Sequence, residues 1–277
     1  MAFGTSSGAA RAVPGGWEPV SAPFTAVHDR FPSWTWPEEY AAGLRGIEEL
    51  PRGNPTAFRD LCRDKVAFQE LVEVPMPALV TDPGQFEAAL KEWGAGFLKP
   101  RFGGLGRGVR RVLPGDAMPS ELEGAVPGVK EPAILQRAVP APPGLAGLST
   151  RWLWQRDRGG SWLSAGGVAR ISETDPVTNV DRGARVEPVA SALSARTHSL
   201  CEGIGREVVH RFDDPCIVEV GLDLVIDADG EPHLIEANSR PGGRLRALGE
   251  AFREAHIEAC ARPLRWLSGA TPDRPLR

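Results

Sequence analysis

Residues 217–238 read IVEVGLDLVIDADGEPHLIEAN, two apolar-rich runs joined by Asp229-Gly230. Asp and Gly tolerate positive φ, so this dipeptide is the favoured centre of a two-residue hairpin turn. With those two residues at the tip, Asp223 stands directly opposite Glu236 and Val225 opposite Leu234. Side chains alternate along a strand, so Asn238 joins Glu236 on one face. Leu222, Leu224, Ile226 and Ile235 are expected to pack on a core from the other. Directly opposed Cβ atoms lie about 4.5–5.5 Å apart, where two carboxylates repel. A cation between them removes the repulsion, and two carboxylates with an amide oxygen are the hard donors that Mg²⁺ prefers. An ordinary solvated hairpin face carrying two acids by chance would read the same way.

Upstream, Phe97-Leu98-Lys99-Pro100-Arg101 runs into FGGLGRG at 102–108, a cation at a strand end before a flexible loop. Gly103, Gly104, Gly106 and Gly108 allow backbone N–H groups to approach phosphate oxygens. The loop lacks the Gly-Lys-Ser/Thr ending of a P-loop and does not match the dinucleotide fingerprint, so a mobile surface turn fits it equally well. Only four of the 32 basic residues are lysines, Lys65, Lys91, Lys99 and Lys130, so a retained lysine carries slightly more weight. Lys65 alone reads equally as a solvated helix residue. Arg151 and Arg170 fall on neighbouring predicted strands, followed by Asn179 and an Asp181-Arg182-Gly183 turn. Trp152, Trp154 and Trp162 have the spacing of sheet packing.

Working outward, the pattern over 54–72 predicts one amphipathic helix, and 83–94 a second. Strands are expected at 96–100, 109–113, 133–139 and on either side of Arg158-Gly159-Gly160. Helices are expected near 38–50, over 188–210 and over 244–260. Helices and antiparallel hairpins intermix, which makes the class α+β. Residues 1–23 read as a flexible tail. With 277 residues, 42% of them hydrophobic and 25% charged, the chain has the composition of a globular protein. A net charge of −4 argues against non-specific nucleic-acid binding. No apolar run reaches the ~18 residues of a membrane span, and the N-terminus has no signal-like core. Cys62, Cys201, Cys216 and Cys260 are scattered without metal spacing, which suits a reducing cytoplasm. His28, His198, His210 and His233 have no evident partner.

These pieces occur in the order of the ATP-grasp superfamily, which the chain resembles over about residues 54–245. Asp64-Lys65 followed by VPMPA looks like its first phosphate-contacting lysine, and FLKP with the glycine loop like its second, Lys99, and its mobile lid. AILQRAV resembles the strand that meets adenine, with Gln136 beside the base and the backbones of Arg137 and Ala138 reading its edge. VARIS and TNVDRG are similar to the segments that flank the reaction centre, here Arg170 and Asn179. The hairpin resembles the family's metal site, with Asp223, Glu236 and Asn238 as ligands. The strand order looks nearest to the spore-coat-associated branch, whose members often read Asp-x-Arg where this chain has Ser149-Thr150-Arg151. The acid is missing and Arg151 is kept.

The resemblance implies two α/β subdomains gripping ATP between antiparallel sheets. It divides the chain into a remnant of an N-terminal domain (24–60), a small subdomain with the lid (61–139) and a C-terminal subdomain with the metal hairpin (140–277). The N-terminal domain is short, so a homodimer could complete the acceptor surface. The cofactors implied are ATP and Mg²⁺, two ions, with Mn²⁺ as the alternative. The activity implied is an ADP-forming ligase joining a small-molecule or peptide carboxylate to an amine through an acyl phosphate. Arg170, Asn179 and Arg151 would serve the reaction. A phosphotransferase and a non-catalytic nucleotide-binding or structural protein are the rival readings.

Overall fold

In a computed structural model of the chain, the described residues are 2–5, 8–13, 16–20, 27–28 and 52–269, apart from 103, 105, 125, 158, 242 and 243. The helix expected near 38–50 lies outside them, and so does Gly103, one of the four glycines expected to approach phosphate. Within the stretch read as a flexible tail, β1 (Ala2–Thr5), β2 (Gly8–Val13) and β3 (Gly16–Val20) form an antiparallel meander. β4 (Val27–His28) pairs in parallel with β5 (Arg52–Gly53).

The single helix expected over 54–72 is two: α1 (Thr56–Arg63) and α2 (Lys65–Leu71). Asp64 breaks it, with extended φ −85° and ψ 100°, and its carboxylate accepts from the N–H groups of Val66 and Ala67. An aspartate N-cap satisfies donors that the first turn leaves unpaired. After β6 (Leu79–Val80), a 3₁₀ turn leads into α3 (Phe86–Trp93), which stops at Gly94 with φ 76°. β7 (Gly96–Pro100), β8 (Arg110–Val112), β9 (Glu121–Glu123) and β10 (Lys130–Arg137) follow. They assemble in the order β6-β10-β7-β8, with β9 on the far part of β10. Leu98, Leu135, Ala133 and Val112 bury one face of this sheet against Phe86, Ala89 and Leu90 of α3.

The second sheet is built from β11 (Gly147–Arg156), β12 (Trp162–Ser172), β13 (Arg185–Pro188), β14 (Glu219–Ile226) and β15 (Pro232–Asn238). Its order is β13-β12-β11-β14-β15. The helix expected over 188–210 is interrupted after α4 (Val189–Ala192), where Ser194 caps α5 (Ala195–Val209) by accepting from Thr197 N–H. The last helix starts later than expected: 3₁₀ turns occupy 244–248 and 250–252, and α6 spans Arg253–Gly269. α5 covers one face of the sheet over Trp152, Trp154, Leu222 and Leu224. Phe58, Cys62, Phe68 and Val72 lie in that same core. So α1 and α2 pack with the second sheet, although the sequence grouped residues from 61 onward with the first.

The β14–β15 hairpin reaches the expected pairing by a different route. The tip is a longer loop: Asp227 O accepts from Gly230 N–H, and Asp227 N–H bonds Glu231 O. Near the tip Val225 faces His233 and Leu224 faces Leu234, one residue out of the expected register. A bulge between Asp223 and Leu224 leaves Ile235 unpaired and restores Asp223 opposite Glu236. The different turn and the extra strand residue thus cancel. Leu234 and Ala237, and not Ile235, join Leu222, Leu224 and Ile226 in the core.

Candidate functional site

The face of the second sheet opposite α5 is apolar at one end, where Leu153 and Val168 meet Leu245 and Ala259, and charged at the other. Arg151 is the direct cross-strand partner of Asp223, and Asp223 of Glu236. Arg170 pairs with Ser149 one strand further out. Four adjacent strands therefore carry Arg170, Arg151, Asp223 and Glu236 on one face.

Asp223 is the hub. Arg151 donates Nε to its Oδ1 at 2.6 Å and an Nη to Oδ2 at 2.5 Å, and Arg170 adds an Nη to Oδ1 at 2.9 Å. The same guanidinium of Arg151 stands 4.0 Å from Glu236. The charge needed between the two opposed carboxylates is thus supplied, in this structure, by an arginine. Burial works against ionisation of Asp223, but the two arginines overcome it and hold the carboxyl well below the usual range. Burial likewise opposes the charge on Arg151, and Asp223 reverses that effect.

The inner face of the first sheet looks onto this cluster. Lys99 and Gln136 lie on adjacent strands, β7 and β10, and Lys99 Nζ donates to Gln136 Oε1 at 2.6 Å. Burial pushes the Lys99 ammonium down to about 8, with Glu236 across the gap opposing. Lys65, at the start of α2, is also pulled down by burial and supported first by Glu236. Two lysines, Arg151 and Asp223 therefore converge on the field of Glu236, whose side chain is 30% exposed.

Among the described residues no three His, Cys, Asp or Glu side chains gather as a metal nest. The smaller set of Asp223, Glu236 and Asn238 nevertheless fits a hard divalent cation. Asn238 would meet a cation through its Oδ1, while its Nδ2, buried without a hydrogen-bond partner, is a donor that suits an acceptor such as a phosphate oxygen. A carboxylate offers about four lone-pair sites, and the arginines use three at Asp223. Glu236 is the more open ligand. Gly221, opposite Asn238, is required here: a Cβ on it would meet Pro241 Cβ at 2.8 Å and Asn238 Cβ at 3.6 Å. Gly221→Ala should cost about 1–3 kcal/mol of stability through overpacking. Chemical denaturation measures it, and an unchanged midpoint would show that Pro241 yields freely.

The structure separates other expected roles. Lys65 Nζ donates to the carbonyls of Pro100 and Arg101 at 3.2 and 3.4 Å, so it grips the root of the glycine loop as well as facing Glu236. The N–H of Arg137 is taken by Ala78 O and that of Ala138 by Ala95 O. Those two donors are engaged within the chain, so a base edge beside Arg137 and Ala138 would be met by their other backbone groups. Of the loop glycines, Gly103 falls outside the described residues and its expected place at a phosphate has no geometry to set against it. Gly106 and Gly108 have φ 71° and 65°, conformations that suit glycine, while a Cβ on Gly104 would meet nothing within 4 Å. A Cβ on Gly106 would sit 3.0 Å from Asn179 Nδ2, so Asn179 borders the loop as well as the 176–183 turn. Ser149, where an acid was missed, hydrogen-bonds Thr178 at 2.5 Å beside Asn179.

Two histidines do have carboxylate partners, both away from this cluster: His28 with buried Glu219 at 3.1 Å and His233 with Asp227 at 2.9 Å. All four cysteines are free. Among the described residues no helix is long and apolar enough to cross a membrane.

A family model described as YheC/D-like ATP-grasp matches residues 134–266, a little under half of the chain. No curated protein matches the sequence. Among solved structures, D-alanyl-alanine synthetase A from Vibrio cholerae superposes with TM-score 0.60 at 16% identity, over 95% of this chain and 83% of that one. D-cycloserine synthetase gives TM-score 0.57 at 19% identity, over 89% and 82%. Carboxyaminoimidazole ribonucleotide synthase from Aspergillus clavatus, complexed with ATP, gives 0.57 at 20% identity, over 85% of this chain and 59% of that one. The chain therefore spans about three fifths of the latter's length. At these identities the likeness is one of fold.

Proposed function

We propose that this chain, ATP-grasp in fold, is an ATP-dependent ligase that activates a carboxylate as an acyl phosphate and joins it to an amine. The observation that carries the reading is the convergence on Glu236 of Lys99 from the first sheet, Lys65 from α2, and Arg151 and Asp223 from the second sheet. A solvated surface has no reason to bury a lysine opposite two carboxylates, because burial disfavours the charged form of each. A triphosphate with its cation completes such an arrangement.

Each group then has a task. Lys99 would neutralise phosphate charge, with Gln136 orienting its ammonium. Glu236, the remaining lone pair of Asp223, and Asn238 would hold Mg²⁺, which offsets charge on the phosphate oxygens when bound. Arg170 keeps a buried Nε without a partner, a donor available to the transferring phosphoryl group. A carboxylate oxygen attacks the γ-phosphorus and ADP leaves. The amine then attacks the acyl carbon, phosphate leaves, and the amine sheds a proton to water or phosphate. The glycine loop over Asn179 would exclude water from the intermediate. The substrates proposed are a small-molecule or peptide carboxylate and an amine, and four free thiols suit work in a reducing cytoplasm.

The test is ADP release by the purified chain with Mg²⁺ across carboxylates and amines offered singly and in pairs. ADP formation requires both partners, and ¹⁸O from a labelled carboxylate appears in the released phosphate. Glu236→Ala lowers turnover by about 10–100-fold or more, the range seen when metal affinity is impaired. Turnover with an acceptor alone and a stable phosphorylated product would make the chain a phosphotransferase. ATP binding without turnover on any pair would make it a non-catalytic nucleotide binder.

A further inference from the structure

The junction between α1 and α2 makes a dense set of contacts that the nucleotide reading does not use. Arg101, one residue beyond β7, donates Nε to Asp64 Oδ1 at 2.8 Å and an Nη to Oδ2 at 2.6 Å. Arg63 Nε donates to Phe102 O at 3.4 Å, and both Arg63 and Arg101 lie over the Phe102 ring, at 5.9 and 5.1 Å. Arg63 also stands 3.6 Å from Glu131 on β10, a buried carboxylate with no hydrogen-bond partner of its own. With the bonds from Lys65, three consecutive residues, 63–65, hold three consecutive residues, 100–102, at the root of the glycine loop.

The placement makes these contacts more than local. α1 and α2 belong to the core of the second sheet, and β7 to the first. Asp64 serves both sides, because the carboxylate that caps α2 is the one Arg101 grips. We propose that Asp64 and Arg101 are a positioning pair that fixes the glycine-rich loop relative to the Glu236 cluster. This rests on the nucleotide reading only for its catalytic consequence. A bidentate guanidinium–carboxylate pair sets direction as well as distance, which a single lysine contact does not.

The test separates the ion pair from the helix cap. Asn caps a helix as well as Asp, so Asp64→Asn keeps α2 and removes the charge. Arg101→Met keeps the stem and removes the fork, and Arg101→Lys restores charge without the bidentate geometry. Trypsin cleavage after Arg107 in the loop, and after Arg110 and Arg111 at the start of β8, is followed in the nucleotide-free chain alongside its melting temperature. In Asp64→Asn and Arg101→Met the loop is cut about three- to tenfold faster, in proportion to its local opening, and the melting temperature barely moves. The double variant is no worse than either single, and Arg101→Lys recovers part of the protection.

The same variants raise the KM for ATP with kcat little changed. A merely structural pair gives the opposite result, a lowered melting temperature with loop cleavage unchanged, and overturns the proposal. So does a double variant whose effect is the sum of the singles. Failure of wild type to bind ATP would strike the nucleotide reading, while the cleavage result, obtained without nucleotide, still decides this one.

Discussion

Asp223→Ala is expected to destabilise the chain by about 3–5 kcal/mol, a loss far larger than an ordinary surface salt bridge would give. Asp223 has 4% side-chain exposure and receives three charged hydrogen bonds from Arg151 and Arg170, themselves 16% and 14% exposed. Removing the carboxylate leaves two guanidinium groups buried and, among the described residues, Glu236 at 4.0 Å to answer one of them. Guanidinium groups stay protonated at any working pH, so they cannot escape the cost by losing a proton. Asp223→Asn should fall between, since an amide oxygen accepts but carries no charge. Urea unfolding of the three proteins measures the series. A loss under about 1 kcal/mol for Asp223→Ala would mean that water screens the cluster and that Asp223 is not its hub.

The second large effect concerns Lys99. A charged hydrogen bond is worth about 1.5–3 kcal/mol, so Lys99→Met should weaken ATP binding by about 10–100-fold. The pH dependence is distinctive. Burial sets the Lys99 value at about 8 in the nucleotide-free chain, against 10.5 for an ordinary lysine. A phosphate anion at Nζ raises it again. Below pH 8 the ammonium is already present, and affinity does not vary with pH through this group. Above pH 8 binding must take up a proton, so affinity falls by up to about tenfold per pH unit until the bound-state value is passed. Lys99→Met should be weak throughout and lack that step. Equal pH profiles for the two proteins would remove Lys99 from the phosphate site.

The pairing at the centre of the candidate site was legible in the sequence because its residues recur at strand spacing around one hairpin. Asp223 opposite Glu236 follows from period-two alternation, and the bulge at Ile235 happens to offset the wrong turn assignment. What alternation could not reveal is the partner across β11. Arg151 stands opposite Asp223 only because β11 inserts between β12 and β14, a choice of strand order that no local pattern records. The cation inferred between the carboxylates was therefore read as metal alone, when an arginine already lies there. The break at Asp64 was hidden for a similar reason. Its flanks are helical in pattern, and the residue that rewards the break, Arg101, is 37 positions away. The shift of the last helix to 253–269 reflects Gly249, whose φ of 85° divides the preceding segment into two short turns, the second of which runs into α6.

The central claim is that two facing sheets hold ATP with a divalent cation over Glu236. Calorimetric titration of the purified chain with ATP, with and without Mg²⁺ and from about pH 7 to about pH 10, tests it most directly. Saturable binding that needs Mg²⁺ for full affinity and weakens above pH 8 is the expected result. Absence of binding at millimolar ATP with Mg²⁺ present would contradict it, whatever the fold.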